Sequence, residues 1–137
     1  MPLIVPSAAE KTLQDFMLGV TVPGNQKLKL FVNNVTVDDT FTAASLTEMT
    51  THGYTDKTLT KTSWVSVAGA TGNPSTSTFA QQTWTFTAAS LVSVYGYYIT
   101  DVTTGLLLWA ENFNSAKPIV NGGDQILITP TITLSRV

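Results

Sequence analysis

The chain has no cysteine and a single histidine, His52. The first absence excludes disulfides and thiolate metal centres. The second leaves any zinc site to be assembled from carboxylates around one imidazole, and His52 stands between Thr51 and Gly53, a turn-like context that suits a solvated loop residue. Charge is scarce as well. Seven Lys and Arg with nine Asp and Glu make up 12% of the 137 residues, about half the share of an ordinary soluble domain, and the formal net charge is −2. A nucleic-acid partner calls for clustered cations, and no basic run or Arg cluster occurs. No apolar run approaches the roughly 18 residues that a bilayer-spanning helix needs. Met1 to Pro6 lacks the basic n-region and apolar stretch of a signal peptide. These absences set the expectation of a chain made in the cytoplasm, with neither a nucleic-acid nor a membrane partner. The Asn34-Val35-Thr36 sequon then carries no consequence.

What is abundant is threonine, with 24 residues, many alternating with apolar side chains. Threonine suits a pleated, half-solvated surface because its β-branch stiffens an extended backbone while its hydroxyl satisfies water. It does not provide the charge that keeps open strand edges apart. A β-rich chain so poor in charge is expected to have much of its outside covered by other subunits. It reads as a building block of a larger assembly.

One segment has helical periodicity. Ser7 precedes Ala8-Ala9-Glu10, so Ser7 is placed to cap the helix while Glu10 returns the bond, a capping box worth about 1 kcal/mol. Ala9, Leu13, Phe16 and Met17 share one apolar face, and Gly19 is placed to end the helix. A helix this short must dock, and two placements are open: on its own sheet, or as an arm, Pro2 to Leu18, on a neighbouring subunit. After the Pro23-Gly24-Asn25 turn everything reads as strand. Leu28, Leu30 and Val32 share a face, as do Trp84 and Phe86. Val94 to Thr100 and Leu106 to Ala110 are dense enough in apolar residues for central strands, joined by a hairpin at Asp101 to Gly105. In the run Gln125 to Leu134, Pro130 demands an edge or a bulge. Weaker strands are expected at Val35–Val37, Thr58–Thr62 and Trp64–Val67. Thr42 to Thr51 is ambiguous, and Gly69 to Ser77 is the longest evident loop. Seven to nine short strands with a turn signal roughly every ten residues imply a sandwich or barrel.

Reactive chemistry is thin. No serine lies in a Gly-x-Ser-x-Gly setting. The carboxylates Asp38, Asp39, Glu48, Asp56, Asp101, Glu111 and Asp124 fall in no glycosidase or calcium-loop pattern; Glu111, at the end of a strong strand, is the one placement to watch. Trp64, Trp84, Trp109, Tyr95, Tyr97 and Tyr98 could form a sugar-stacking platform, but Trp84 and Phe86 share one strand face, as a core requires, and core is the better reading for Trp84 and Trp109. Strict alternation puts Tyr95 and Tyr97 opposite Tyr98. No catalytic, cofactor-binding or metal-binding residue is assigned.

The C-terminal half carries a resemblance. Val94-Tyr95-Gly96-Tyr97-Tyr98-Ile99-Thr100-Asp101, Gly105-Leu106-Leu107-Leu108-Trp109-Ala110-Glu111-Asn112-Phe113 and Gly123-Asp124-Gln125-Ile126-Leu127-Ile128-Thr129-Pro130 resemble small structural proteins of tailed bacteriophages. Thr47-Glu48-Met49, Gly53-Tyr54 and Trp64-Val65-Ser66-Val67 extend the likeness over roughly residues 30 to 134. It is a pattern of strands and turns, and no catalytic residue carries over. The resemblance implies a non-enzymatic virion component without cofactor. It favours a capsid cement or decoration protein, with a neck, tail or host-glycan-binding component as the alternative. It further implies a homo-oligomer, by analogy a trimer, in contact with the major capsid protein or other virion proteins.

The expectation is therefore an all-β chain folded as an antiparallel β-sandwich, a jelly roll being one form of it. Residues 1–24 form an N-terminal arm with a short helix, and residues 25–137 the β-domain. Leu3, Ile4, Val5, Leu13, Phe16 and Met17 are the candidate contacts to a neighbouring subunit or shell.

Overall fold

Asp101 organises the longest hairpin. In a computed structural model that describes residues 4–134, its buried Oδ1 accepts the backbone N–H groups of Thr103 (3.0 Å) and Thr104 (2.8 Å) and the Thr104 hydroxyl (2.9 Å). Gly105 completes the reversal at φ +71°. This turn joins β6 (Ser93–Asp101) to β7 (Leu107–Pro118), as the sequence led us to expect. The other edge of β6 takes β1 (Gln26–Phe31), in register from Gln26↔Asp101 to Phe31↔Gly96, and β2 (Lys57–Leu59) adds to β1. The result is a four-stranded antiparallel sheet of order β2-β1-β6-β7.

The remaining strands form an interrupted ribbon. β4 (Ser75–Thr78) and β5 (Gln82–Thr85) run antiparallel to β9 (Thr131–Leu134) and β8 (Gln125–Ile128), and β3 (Val65–Val67) pairs with β4. Pro130 sits in the interruption. It has no N–H to give a ladder, and its carbonyl instead accepts the Phe79 N–H at 2.9 Å. The last apolar run is thereby divided between two sheets.

Burial on both faces of the four-stranded sheet follows from side-chain alternation, interrupted in β7 by a register shift at Leu108 that puts Leu108 and Trp109 in one cluster. One face gathers Leu28, Leu30, Ile99, Leu108 and Trp109 against Trp84, Phe86, Ile126 and Ile128 from the ribbon. The opposite face buries Phe31, Tyr98, Leu107 and Ala110 beneath Val37 and Leu46, with Ile4, Val35 and Phe41 partly buried there. The chain is mostly β, with several antiparallel sheets and one short helix, and Trp84 and Trp109 are core residues.

Several local expectations are corrected. Helix α1 (Ser7–Met17) has Pro6 as its N-cap and no side-chain capping bond. Ser7 is already helical and so cannot be the N-cap, and its N–H, which Glu10 would accept in a capping box, bonds to the Asp39 carbonyl instead (2.8 Å). Val35–Val37 forms no strand: Asn112 stands in for a neighbouring strand, accepting the Val37 N–H at 2.8 Å and donating to the Val35 carbonyl at 2.7 Å. The segment expected at Thr58–Thr62 ends as strand at Leu59 and passes into a 3-10 turn at Lys61–Ser63. The ambiguous Thr42–Thr51 region holds a 3-10 turn at Ala43–Ser45, where Ser45 Oγ accepts the Thr42 N–H (3.1 Å). The loop after Gly69 is shorter than expected because β4 starts at Ser75. β7 is apolar enough for a central strand yet ends the strand order. Its outer edge is met by Ile4, whose N–H and C=O bond to Ala110 at 2.9 and 3.0 Å. A register shift between Val94 and Gly96 breaks the alternation, so Tyr97 packs in the cluster of Leu30 while Tyr95 packs with Tyr98.

Gly96 lies where β6 passes under Phe31. A Cβ there would overlap the Glu111 carbonyl oxygen and come within 2.6 Å of the Phe31 ring. Gly96→Ala should therefore lower stability by about 1–3 kcal/mol in denaturant titration. Gly24→Ala, whose Cβ would meet its neighbours at no less than 3.4 Å, should stay within about 0.5 kcal/mol of the parent.

Candidate interaction surface

Several of the side chains with chemical potential make framework contacts. Glu48 receives Lys29 Nζ (2.9 Å) and the Tyr54 hydroxyl (3.0 Å), and the Tyr54 oxygen in turn accepts the Leu30 N–H (3.1 Å). Beyond Leu28, where β2 ends its pairing, this phenol shares the edge of β1 with the Thr47–Met49 segment, whose Met49 N–H bonds to the Leu30 carbonyl at 2.9 Å. Tyr54 also stacks on Trp84, with centroids 6.2 Å apart at 13°. Lys27 pairs with Asp56 at 2.9 Å. The partner of Glu111 is the Tyr97 hydroxyl (2.6 Å), not His52. His52 occupies the turn before Tyr54 at φ 58°, and its carbonyl accepts the Thr87 N–H (2.9 Å). Asp124 closes its own turn through the N–H groups of Val120 and Asn121. Hydrogen bonds from Thr40 hold the Asp38 carboxyl below its ordinary pKa. Among the described residues no three His, Cys, Asp or Glu side chains come together as metal ligands, and no helix is long and apolar enough to cross a membrane.

What is left uncommitted is apolar. At the C-terminus of α1, Gly19 adopts φ +71° and the chain folds back, with Val20 and Thr21 N–H groups returning to the Asp15 carbonyl (2.9 and 3.3 Å). That reversal thrusts out Met17, Leu18, Val20 and Val22, each 67–84% exposed, in a six-residue stretch without a charge. Scattered exposed hydrophobics are normal on soluble proteins, but a contiguous cluster marks an interaction site.

A second apolar surface is a cleft of about 410 Å³ lined by Val32, Met49, Leu91 and Val92 among others, with Leu91 fully exposed at its lip. Its walls are held by the Thr87–His52 bond, by Ser90 N–H to the Ile119 carbonyl (2.8 Å), and by the Lys29–Glu48–Tyr54 network below. A third feature is β3, paired on one side only, which exposes Val65 and Val67 and carries neither proline nor charge.

The structure divides the candidate contact residues. Ile4 is bonded to Ala110 of its own chain, and Leu13 and Phe16 are half-buried. Val5 is at the threshold of exposure, Met17 is largely exposed, and Leu3 lies outside the described residues. Sequence reasoning missed Leu18, Val20 and Val22. The available signal was the uncharged run Met17 to Val22 straddling a helix-ending glycine. The aromatic set is likewise divided: Trp84 and Trp109 are buried, and Trp64 packs edge-on to Trp109 while donating to Gln26 Oε1 at 3.0 Å. No family model, curated protein or solved structure matches the chain.

Burial raises the pKa of the Tyr54, Tyr97 and Tyr98 phenols, assisted by the nearby carboxylates of Glu48 and, for Tyr97, Glu111. The folded chain thus keeps protons that an unfolded tyrosine releases near pH ~10. The stabilisation is fully present below that pH and is lost as pH rises above it. Phenolate absorbance and loss of far-ultraviolet circular dichroism should rise together in alkaline titration. Ionisation of all tyrosines at the ordinary value with the fold intact would contradict the assigned network.

Proposed function

We propose that this chain is a non-enzymatic structural protein of a tailed-phage virion, a cement or decoration protein that holds the head together through contacts between subunits. The observation that carries this reading is the pairing of scarce charge with contiguous exposed apolar surface. A chain with 12% charged residues leaves Met17, Leu18, Val20 and Val22 to solvent at one place and an apolar cleft at another. Burying such surface against protein is favourable at roughly 25 cal/mol per Å². Commitment of the polar side chains to turns and strand edges supports a scaffold role. The resemblance of the strand and turn pattern to phage structural proteins supports the virion assignment. We read the four-stranded sheet and the ribbon packed on it as the two layers of a β-sandwich. In this reading the partners are further copies of the chain and the major capsid protein.

The test is the particle itself. Virions purified from the phage that carries this gene should contain the chain in a fixed ratio to the major capsid protein by quantitative mass spectrometry. Immunogold labelling should decorate the head. Gold confined to the neck or tail would relocate the protein within the virion and overturn the cement role. Absence of the chain from purified virions would overturn the structural reading altogether.

A further inference from the structure

The exposed apolar knob and the apolar cleft lie at opposite ends of the same strand pair. Val22 leads into β1, and with Asp101, the last residue of β6, it lines a small depression beside α1. Val32 follows the last residue of β1 and Val92 precedes the first of β6, and both line the cleft. The register Gln26↔Asp101 to Phe31↔Gly96 sets the two surfaces six residue pairs apart, about 20 Å along the strands. The knob therefore cannot fold back into the cleft of its own chain.

The two surfaces match in chemistry. Met17 to Val22 contains no charge. The cleft presents Val32, Ala89, Leu91 and Val92 above the buried Met49, and its one carboxylate, Glu48, is already satisfied by Lys29 and Tyr54, so it asks for no cation from an occupant. Thr47, Thr50, Thr51, His52 and Ser90 line the same cleft, so polar and apolar side chains are mixed there, as they are in protein interfaces. A cleft of about 410 Å³ is in the range that accepts a cluster of apolar groups. A foreign protein would satisfy one surface and leave the other exposed. A second copy satisfies the knob of one chain and the cleft of another with a single contact.

We propose that copies of this chain associate head to tail, the Met17–Val22 knob of one seating in the Val32–Leu91–Val92 cleft of the next. The two sides of the contact differ, so the interface is heterologous and propagates into a closed ring or a filament. This inference rests on the reading of the chain as an assembly subunit and names the surfaces that perform the assembly.

Two variants at exposed positions test it in the full chain: Leu18→Asp with Val20→Asp to disable the knob, and Leu91→Asp to disable the cleft. Circular dichroism should match the parent for both. In sedimentation velocity the parent should form species larger than a dimer as concentration rises, while each variant alone stays monomeric. An equimolar mixture of the two variants should form dimers and stop there, because each such pair has one sound knob facing one sound cleft and nothing left to extend it. A parent that stays monomeric, variants that associate like the parent, or a mixture that stays monomeric would overturn the head-to-tail contact. Those outcomes leave the virion role standing if the chain is found in particles. Dimers from the mixture together with absence from virions would keep the contact and remove the role.

Discussion

Burial of β6 on both faces is the constraint from which the rest of the molecule follows. A strand that is apolar on alternate sides needs two covers, and a chain of this length has one ribbon of strands to offer. The ribbon of β4, β5, β8 and β9 covers the face of Leu30, Ile99 and Trp109. The other face, centred on Phe31 and Tyr98, is left to a connecting segment and the N-terminus. Irregular backbone in such a position must satisfy its own polar groups. It does so through side chains: Asn112 serves Val35 and Val37, and Asn33 donates to the Ser45 carbonyl while accepting the Thr47 N–H. The Ile4 bridge to Ala110 belongs to the same solution, since it covers the edge of β7 on that side.

This economy accounts for the surface as well. Ile4, Pro6 and Ala9 are drawn onto the chain's own sheet, which fixes α1 at its N-terminal end and leaves its C-terminal turn projecting. Asp101 and Asp124 shape turns, and Lys27–Asp56 and Lys29–Glu48 are ion pairs beside β1. Apolar side chains without a place in either cluster remain outside, at the end of α1, around the cleft beyond β1, on β3 and at further single positions. A surface of this kind is costly for a free monomer and useful to a subunit.

The strands were legible where alternation was clean. Leu28 and Leu30, and Trp84 and Phe86, point inward as their spacing requires. The Asp101–Gly105 reversal and the helix end at Gly19 followed from local turn chemistry. The failures have a common cause, which is that distant partners replaced local ones. The Ser7 N–H went to the Asp39 carbonyl and not to Glu10, Val35–Val37 lost its strand pairing to the Asn112 amide, and the bulge after Val94 turned Tyr95 to the other face. None of these partners is near in sequence. Of the contact surface, Met17 was legible from the helical face, whereas Leu18, Val20 and Val22 became visible only once the Gly19 reversal fixed their direction.

The central claim is that the apolar surface around the end of α1 is covered by protein when the chain is at work. Oxidation of methionine reports that directly, because Met17 is largely exposed and Met49 is buried within the same chain. Brief hydroxyl-radical exposure of the dilute chain should convert Met17 to sulfoxide and spare Met49. In the proposed assembly Met17 should be protected as well. Equal oxidation of Met17 in the dilute chain and in that assembly would contradict this covering.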